Sequence, residues 1–173
     1  MTLLALGIDR IATPIGDMIL VADKEGNLRL AYFSEQEEEV RRSLRRQYGE
    51  RGFTLEPVRN PHGLSATVTR YFAGDVTAID PIPVQPAGTA FQQEVWSALR
   101  QIPCGATTSY GNLAERIGRP AAVRAVGLAN GANPIAVIVP CHRVIGANGS
   151  LTGYGGGIER KRWLLDHEKQ MRL

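Results

Sequence analysis

The residues best suited to chemistry stand together in the segment Pro140-Cys141-His142-Arg143-Val144. A cysteine thiolate is a strong nucleophile, and a neighbouring His or Arg can lower the pKa of the thiol toward neutrality. The alternative is that Cys141 is a small buried hydrophobic residue, which is the usual place of a free cysteine. The segment therefore predicts either a reactive thiol or a core residue.

The last helix, predicted over residues 158–170, supplies a carboxylate that could complete a site. Leu164 and Leu165 are expected to pack inward, and Glu168 lies three and four residues beyond them, on or beside the same buried face. A buried carboxylate needs a partner. His142 as that partner would give a Cys–His–Glu relay, in which the carboxylate orients and charges the imidazole, whereas Arg143 would give a structural ion pair.

The elements before the last helix must position these groups. The apolar run Ile135 to Val139 predicts a buried strand leading to Cys141. Successive strand residues point to opposite faces, so His142 would act on Cys141 only if the chain turns at Pro140 or a water bridges the two groups. Residues 146–157 hold six glycines in twelve positions but no P-loop, which indicates either close approach of a planar ligand or a flexible hairpin.

Three helices are predicted ahead of this region. The first carries apolar residues at helical spacing, at Phe91, Val95, Ala98, Leu99 and Ile102. Two short helices follow over residues 110–117 and 121–130, in the order of a helix-turn-helix. The second of these two is nearly bare, with Arg124 interpreted as its one long side chain. Such a helix can approach another helix or enter a nucleic-acid groove.

The N-terminal half predicts a β-meander followed by helices. Apolar runs over 3–11, 18–22 and 28–33 are separated by turn signals. The next helix has Ser34 as its expected cap, and its four arginines, Arg41, Arg42, Arg45 and Arg46, are interpreted as a solvated face, with phosphate binding as the alternative. A short helix ends at Gly74. Three prolines in six residues then predict a linker over 81–87, which divides the chain into domains at 1–80 and 88–173.

Composition excludes several classes of protein. The 173 residues, with 43% hydrophobic and 21% charged side chains, are typical of a globular protein. No apolar run approaches the roughly 20 residues of a membrane span, and Asp9 comes too soon for a secretory signal. Only Cys104 and Cys141 are cysteines, and the three histidines lack ligand spacing. We therefore expect a cytoplasmic protein without a disulfide framework or a bound metal.

The charge is divided unevenly along the chain. Residues 1–87 hold 10 basic and 12 acidic side chains, a net of −2, whereas residues 88–173 hold 10 and 5, a net of +5. Such a division suggests an anionic partner for the second half, nucleic acid first, although charge alone favours an uneven solvated surface as the explanation.

Residues 88–173 resemble the O6-alkylguanine-DNA alkyltransferases, also called methylated-DNA–protein-cysteine methyltransferases. The segment from Pro140 to Val144 is the motif of that family, and further segments match it in order and spacing. These are Phe91 to Trp96, Ile102 to Gly105, Ser109 to Gly111, Arg124 to Gly127, Ala132 to Pro134 and Leu164 to Glu168. The N-terminal half matches more loosely, at residues 13–16 and 71–74, and the whole chain most resembles the constitutive bacterial form.

The resemblance implies a fold and a reaction. The fold would be α+β, with a ribonuclease-H-like N-terminal subdomain (antiparallel meander plus helices) and a C-terminal winged helix-turn-helix-like domain. Cys141 would accept an alkyl group from O6 of guanine, or from O4 of thymine, as a stable thioether, once per molecule and without a cofactor. His142 would act as a base through a water, Glu168 would complete the relay, and Asn133 would hold the active-site turn.

The resemblance also implies how alkylated double-stranded DNA is bound. Tyr110 would crowd the phosphate of the target nucleotide and contact the flipped base, while Arg124 would fill the space that the base leaves. The DNA-binding set would be Tyr110, Gly111, Arg119, Arg124, Ala125, Ala129 and Ala147. The base pocket would be lined by Tyr110, Val144, Tyr154, Gly155 and Lys161. The free protein would be a monomer, with cooperative assembly on DNA left open.

Two departures and two rival functions bear on this interpretation. Some family members bind zinc in the N-terminal half, but residues 1–87 contain no cysteine and His62 alone, so we expect no such site. The family often has Ser at the position of Gly155. The glycine of this chain would preserve a backbone contact to the base and would lack the contact of a serine hydroxyl. Two other functions are possible for such a chain. One is a module that binds the alkylated base without repairing it, and the presence of Cys141 argues against it. The other is a helix-turn-helix transcription regulator.

Overall fold

A computed structural model describes residues 3–34 and 36–170 of the chain. The chain folds as two compact units, Met1–Ala87 and Gly88–Leu173. Helices and sheets occur in both units, and the α+β class is confirmed. No helix in the described part of the chain combines the length and the apolar character needed to span a membrane.

The first unit is built on a four-stranded sheet in the order β3-β2-β1-β4. Its strands are β1 (Leu4–Thr13), β2 (Gly16–Asp23), β3 (Leu28–Phe33) and β4 (Phe53–Pro57). The first three form the expected antiparallel meander, whereas β4, which the sequence did not predict, pairs with β1 in parallel. One face of the sheet buries Leu6, Ile8, Ile19, Val21 and Leu30 against Val40 and Leu44 of the first helix.

The described residues of the first unit form two α-helices, α1 (Glu37–Tyr48) and α2 (Leu64–Phe72), and a short 3-10 helix over Pro61–Gly63. The prediction that Ser34 caps α1 is wrong, because the helix begins two residues later with Gln36 at the cap position and no side-chain cap. The Ser34 hydroxyl instead accepts a hydrogen bond of 2.9 Å from the Gln36 amide. Ion pairs join Arg41 to Glu37 and Arg45 to Glu38, as on a solvated helix face.

The proline-rich segment over 81–87 lies along the edge of the sheet and belongs to the first unit. The Leu28 amide donates to the Pro83 carbonyl, and the Gln85 amide donates to the Leu28 carbonyl, both at 2.9 Å. Proline is tolerated at a sheet edge because only one side of the strand needs donors. The predicted linker is therefore hydrogen-bonded to β3 through Val84 and its neighbours.

The second unit is mainly helical, with a parallel two-stranded sheet. Its elements are α3 (Ala90–Leu99), β5 (Thr108–Ser109), α4 (Tyr110–Arg116), α5 (Val123–Gly131), β6 (Val144–Ile145) and α6 (Ile158–Gln170). Thr89 and Gln92 form a capping box at the start of α3, and the Ser109 hydroxyl caps α4 by accepting from the Asn112 amide at 3.1 Å. Helices α4 and α5 are separated by residues 117–122, where Gly118 adopts a φ of 75°.

The prediction of a strand over Ile135 to Val139 is wrong. This segment forms tight turns, closed by a hydrogen bond of 3.0 Å from the Val139 amide to the Ile135 carbonyl, and Val137 has a φ of 74°. Four of its five side chains are buried, as expected for an apolar run. Periodicity alone cannot distinguish a strand from a compact turn when a segment is enclosed on all sides, and here the backbone groups are satisfied locally.

Candidate active site

The amide side chain of Asn133 holds the turn that leads to Cys141. Its Nδ2 donates to the carbonyls of Val139 at 2.8 Å and Ile135 at 3.3 Å, and its Oδ1 accepts from the Ile135 amide at 2.9 Å. These bonds satisfy backbone groups of the turn that a neighbouring β-strand would otherwise satisfy. Asn133 thus fixes the residues immediately before the cysteine.

Cys141 lies in a short 3-10 turn, Cys141–Arg143, and only 8% of its surface is exposed. Burial raises the pKa of its thiol, although a hydrogen bond from Asn133 and the charge of Lys161 act in the opposite direction. A neighbouring cation does lower this pKa, but removal of the thiol from water outweighs it. The resting group is a protonated thiol, and a base is needed to make it a nucleophile.

Glu168 contacts both of the partners that the sequence left open. One carboxylate oxygen lies 2.8 Å from Nε2 of His142, and the Arg143 guanidinium donates to both oxygens at 2.9 and 3.0 Å. The Arg143 guanidinium also donates to the Ile102 carbonyl at 2.7 Å, shortly after the end of α3. The carboxylate, the imidazole and the guanidinium are all almost fully buried, so the relay and the ion pair coexist in one network.

The network fixes the protonation of His142. Burial and the charges of Arg143 and Lys161 lower the pKa of the imidazole, and this outweighs the attraction of Glu168. The pKa of Glu168 is far below its usual range, because His142 and Arg143 stabilise the carboxylate. A carboxylate can only accept, so Nε2 of the neutral ring carries the hydrogen and Nδ1 carries a lone pair. In the described part of the chain Nδ1 is buried with no hydrogen-bond partner.

Lys161 is fully buried and closes the glycine-rich loop onto the site. Its ammonium group donates to the carbonyls of Val144 and Thr152, both at 2.7 Å, and of Gly153 at 3.3 Å. Burial lowers the pKa of this ammonium. A single cation from α6 thereby ties β6 to the loop, and its charge lies near Cys141.

Tyr154 and Gly155 occupy the same loop. The Tyr154 hydroxyl is buried without a hydrogen-bond partner among the described residues, and burial together with the nearby Cys141 raises its pKa well above the ordinary value. Gly155 is exposed, and a Cβ placed on it would meet no atom within 4 Å. The predicted pocket residues Val144, Tyr154 and Lys161 are thus brought together around Cys141.

The predicted DNA-binding residues of α4 and α5 divide into exposed and buried positions. Arg124 and Ala125 are exposed, and the Tyr110 ring lies about van der Waals distance from where a Cβ on Gly127 would be. Ala129 is only 3% exposed and its carbonyl accepts a hydrogen bond of 2.8 Å from the Trp96 indole. A DNA contact through the Ala129 side chain is therefore not supported, because this face of α5 packs on α3.

Three other predicted positions lie at the surface or beside it. Arg119 makes an exposed ion pair of 3.1 Å with Glu94 and lies over the Phe91 ring. Ala147 is exposed in the loop after β6, and Gly111 is partly buried in the first turn of α4. Across residues 3–34 and 36–170, no group of three or more His, Cys, Asp or Glu side chains is arranged to hold a metal ion.

Two residues of this region were missed from the sequence. Asn130 is buried on α5, and its Nδ2 lies 3.5 Å from the carbonyl of Cys141, which links that helix to the cysteine turn. Leu128 is 73% exposed on the same helix, so Arg124 is not its only long side chain. The helical repeat would have found Leu128, because it stands four residues after Arg124.

Sequence and structure comparisons find similar proteins along the whole chain. Residues 90–170 match the family described as 6-O-methylguanine DNA methyltransferase, DNA binding domain. The chain is 48% identical over 165 residues to a methylated-DNA–protein-cysteine methyltransferase of Shigella flexneri, which covers 95% of this chain and 96% of that relative.

Solved structures extend the similarity to the fold. The crystal structure of Mycobacterium tuberculosis O6-methylguanine methyltransferase matches with a TM-score of 0.79 at 44% identity, over 97% of this chain and 95% of that one. A crystal structure of Mycobacterium tuberculosis OGT in complex with DNA matches with a TM-score of 0.76 at 43% identity, over 97% and 94%.

Proposed function

Since this chain belongs to the methylated-DNA–protein-cysteine methyltransferase family, we propose that it repairs DNA by moving a methyl or larger alkyl group from O6 of guanine to Cys141. The observation that carries this assignment is a buried thiol followed directly in the chain by a buried, neutral imidazole, whose Nε2 is held by Glu168 and whose Nδ1 has a lone pair. Cys104, the other cysteine, is partly buried and lies outside this turn.

The reaction begins with the thiol proton. Nδ1 of His142 takes this proton through a water molecule, and the charge of Lys161 stabilises the thiolate. Glu168 stabilises the imidazolium that forms, while Arg143 keeps the carboxylate ionised and in place. The network thus supplies a base to a thiol that burial holds protonated.

The sulfur then attacks the alkyl carbon. A carbon–sulfur bond forms as the bond from that carbon to O6 breaks, and the bonding electrons move to the guanine. The proton held by His142 balances the reaction by returning to the guanine ring, so the products are an S-alkylcysteine and normal guanine. An alkyl group on O4 of thymine is held by the same kind of carbon–oxygen bond, with the thymine ring as the leaving group, and O4-alkylthymine is the second substrate we propose.

Each molecule reacts once. Regeneration would require cleavage of a thioether, and the groups described above for this site, an imidazole, a guanidinium, an ammonium, a phenol, an amide and a carboxylate, do not provide that chemistry. The reaction needs no cofactor, because the nucleophile and the base both belong to the chain.

Binding of the duplex falls to the second unit. A base in a duplex cannot reach a thiol that is 8% exposed, so the alkylated nucleotide must be extruded. Arg124 is proposed to fill the vacated stack, and Tyr110 to turn the nucleotide, while Gly111, Ala125 and Ala147 approach the backbone. The pocket would receive the base between Tyr154, the backbone of Val144 and Gly155, with Lys161 holding its wall. We propose a monomer in the absence of DNA.

The test is transfer of a labelled methyl group from a duplex that contains one O6-methylguanine. One equivalent of label is expected on a peptide containing Cys141, with none transferred by Cys141→Ser. Cys104→Ser is the matched control and should react as the unaltered protein does. Binding of the methylated duplex without any label on Cys141 would leave a lesion-binding module as the function instead.

A further inference from the structure

Leu128 is the most exposed large hydrophobic side chain in the described part of the chain, at 73%. A lone surface leucine would need no explanation. This one, however, stands on α5 directly opposite the buried face formed by Val126, Ala129 and Asn130. Arg124 lies one helical turn before it on the same exposed face, about 6 Å along the axis.

The surroundings of Leu128 favour DNA as its partner. The other exposed positions on this face are small, including Ala125 and Gly131, so the helix backbone can approach a surface closely. The second half of the chain carries a net charge of +5, and the neighbouring long side chain is an arginine. The small side chains on this face make α5 thin enough to enter a minor groove. The apolar side chain can then contact the groove floor while the cation next to it contacts the phosphates at the groove edges.

We propose that Leu128 is an apolar wedge, which enters the minor groove next to the extruded nucleotide and holds the opened stack together with Arg124. Aliphatic side chains that enter a groove in this way partly unstack base steps and bend the duplex. Leucine loses its contact with water only in that state, so its burial favours the opened duplex and leaves the chemistry at Cys141 unchanged. Leu128 is thus a positioning residue, and its role rests on the proposed repair function.

The experiment compares rates of methyl transfer from substrates that differ in the free energy needed to open the base pair at the lesion. Leu128→Ala should slow transfer about tenfold from a matched duplex, which corresponds to the loss of one buried leucine side chain. The loss should shrink when the lesion faces an abasic site, and transfer from free O6-methylguanine base should change less than about twofold, because neither needs a base pair opened. Leu128→Met should restore most of the duplex rate. Leu3→Ala, which truncates an exposed leucine of the first unit, is the matched control.

Several results would overturn the wedge. An unchanged duplex rate in Leu128→Ala would do so, and so would an equal loss on duplex and free base, which would indicate a disturbed active site. Loss of self-association in sedimentation experiments without DNA, with duplex transfer intact, would assign Leu128 to a protein contact. Methyl transfer by the unaltered protein distinguishes failure of the wedge from failure of the repair function. If the unaltered protein transfers no methyl group, the proposed repair function is refuted.

Discussion

Replacement of Glu168 by glutamine tests the central network, because it removes one charge and almost no volume. The carboxylate accepts three hydrogen bonds, one from His142 and two from Arg143. An amide has one acceptor oxygen, and neither of its orientations keeps all three bonds. If the oxygen takes the place of Oε2, it can accept from His142 and Arg143, but the NH2 group then faces the Nε–H of Arg143, donor against donor. If the oxygen takes the place of Oε1 and accepts from Arg143, the NH2 group must donate to Nε2 of His142 and the imidazole must place its hydrogen on Nδ1.

Two magnitudes follow from that rearrangement. The lone pair on Nδ1 disappears, and general-base catalysis by a positioned imidazole contributes about 10²- to 10⁴-fold, so we expect Glu168→Gln to slow methyl transfer by that factor. Arg143 also keeps its buried charge without a carboxylate. Loss of one partner from a buried pair costs about 3–5 kcal/mol, which should lower the free energy of unfolding markedly.

The assay is a single-turnover time course with labelled methylated duplex, run at a temperature where circular dichroism shows the variant to be folded. Rates are corrected for the folded fraction measured in denaturant titrations. Glu159→Gln, on the exposed surface of the same helix, is the control and should match the unaltered protein. A folded Glu168→Gln variant that reacts within threefold of the unaltered rate would refute the assignment of His142 as the base.

Three further predictions concern the same unit. Gly155→Ser should transfer within about threefold of the unaltered rate, since a Cβ at this exposed position meets no atom, and a loss above tenfold would contradict that space. Arg124→Ala should slow transfer from duplex DNA by tenfold or more and leave transfer from free base unchanged, and equal losses would count against a role in the stack. The pKa values of His142 and Glu168 are both lowered by folding, so their contributions to stability are present above their unfolded pKa values. Denaturation measured against pH should therefore show stability falling below about pH 6.5, as unfolded His142 takes a proton, and again below about pH 4.3 for Glu168. A His142→Asn variant should lack the first of these two decreases.

The sequence predicted the parts of this protein whose structure is decided locally. The meander of β1 to β3 follows from alternating apolar runs and turn residues, and α6 follows from its helical repeat. Glu168 was correctly placed on a buried face by its spacing from Leu164. The family motif then indicates that the relay from Glu168 through His142 acts on Cys141.

The remaining features depend on contacts that spacing does not encode. The segment after Asn133 forms turns because an asparagine side chain replaces the hydrogen bonds of a strand, and its apolar composition fits either form. The thiol pKa of Cys141 is raised because the whole site is removed from water, which no list of neighbouring residues in sequence reveals. Strand β4 pairs with β1 in parallel across about fifty residues, and its short segment has no strong pattern of its own.

The buried ammonium of Lys161 has a consequence for how this protein can change over evolutionary time. All three of its acceptors are backbone carbonyls, at Val144, Thr152 and Gly153, so the closure of the loop makes no demand on the side chains found there. In the base pocket that we propose, substitutions within the loop would alter the size of the adduct that fits, while the main chain stays anchored at the same points. A lineage that met bulkier DNA damage could therefore widen its substrate range one residue at a time, provided that this lysine persisted.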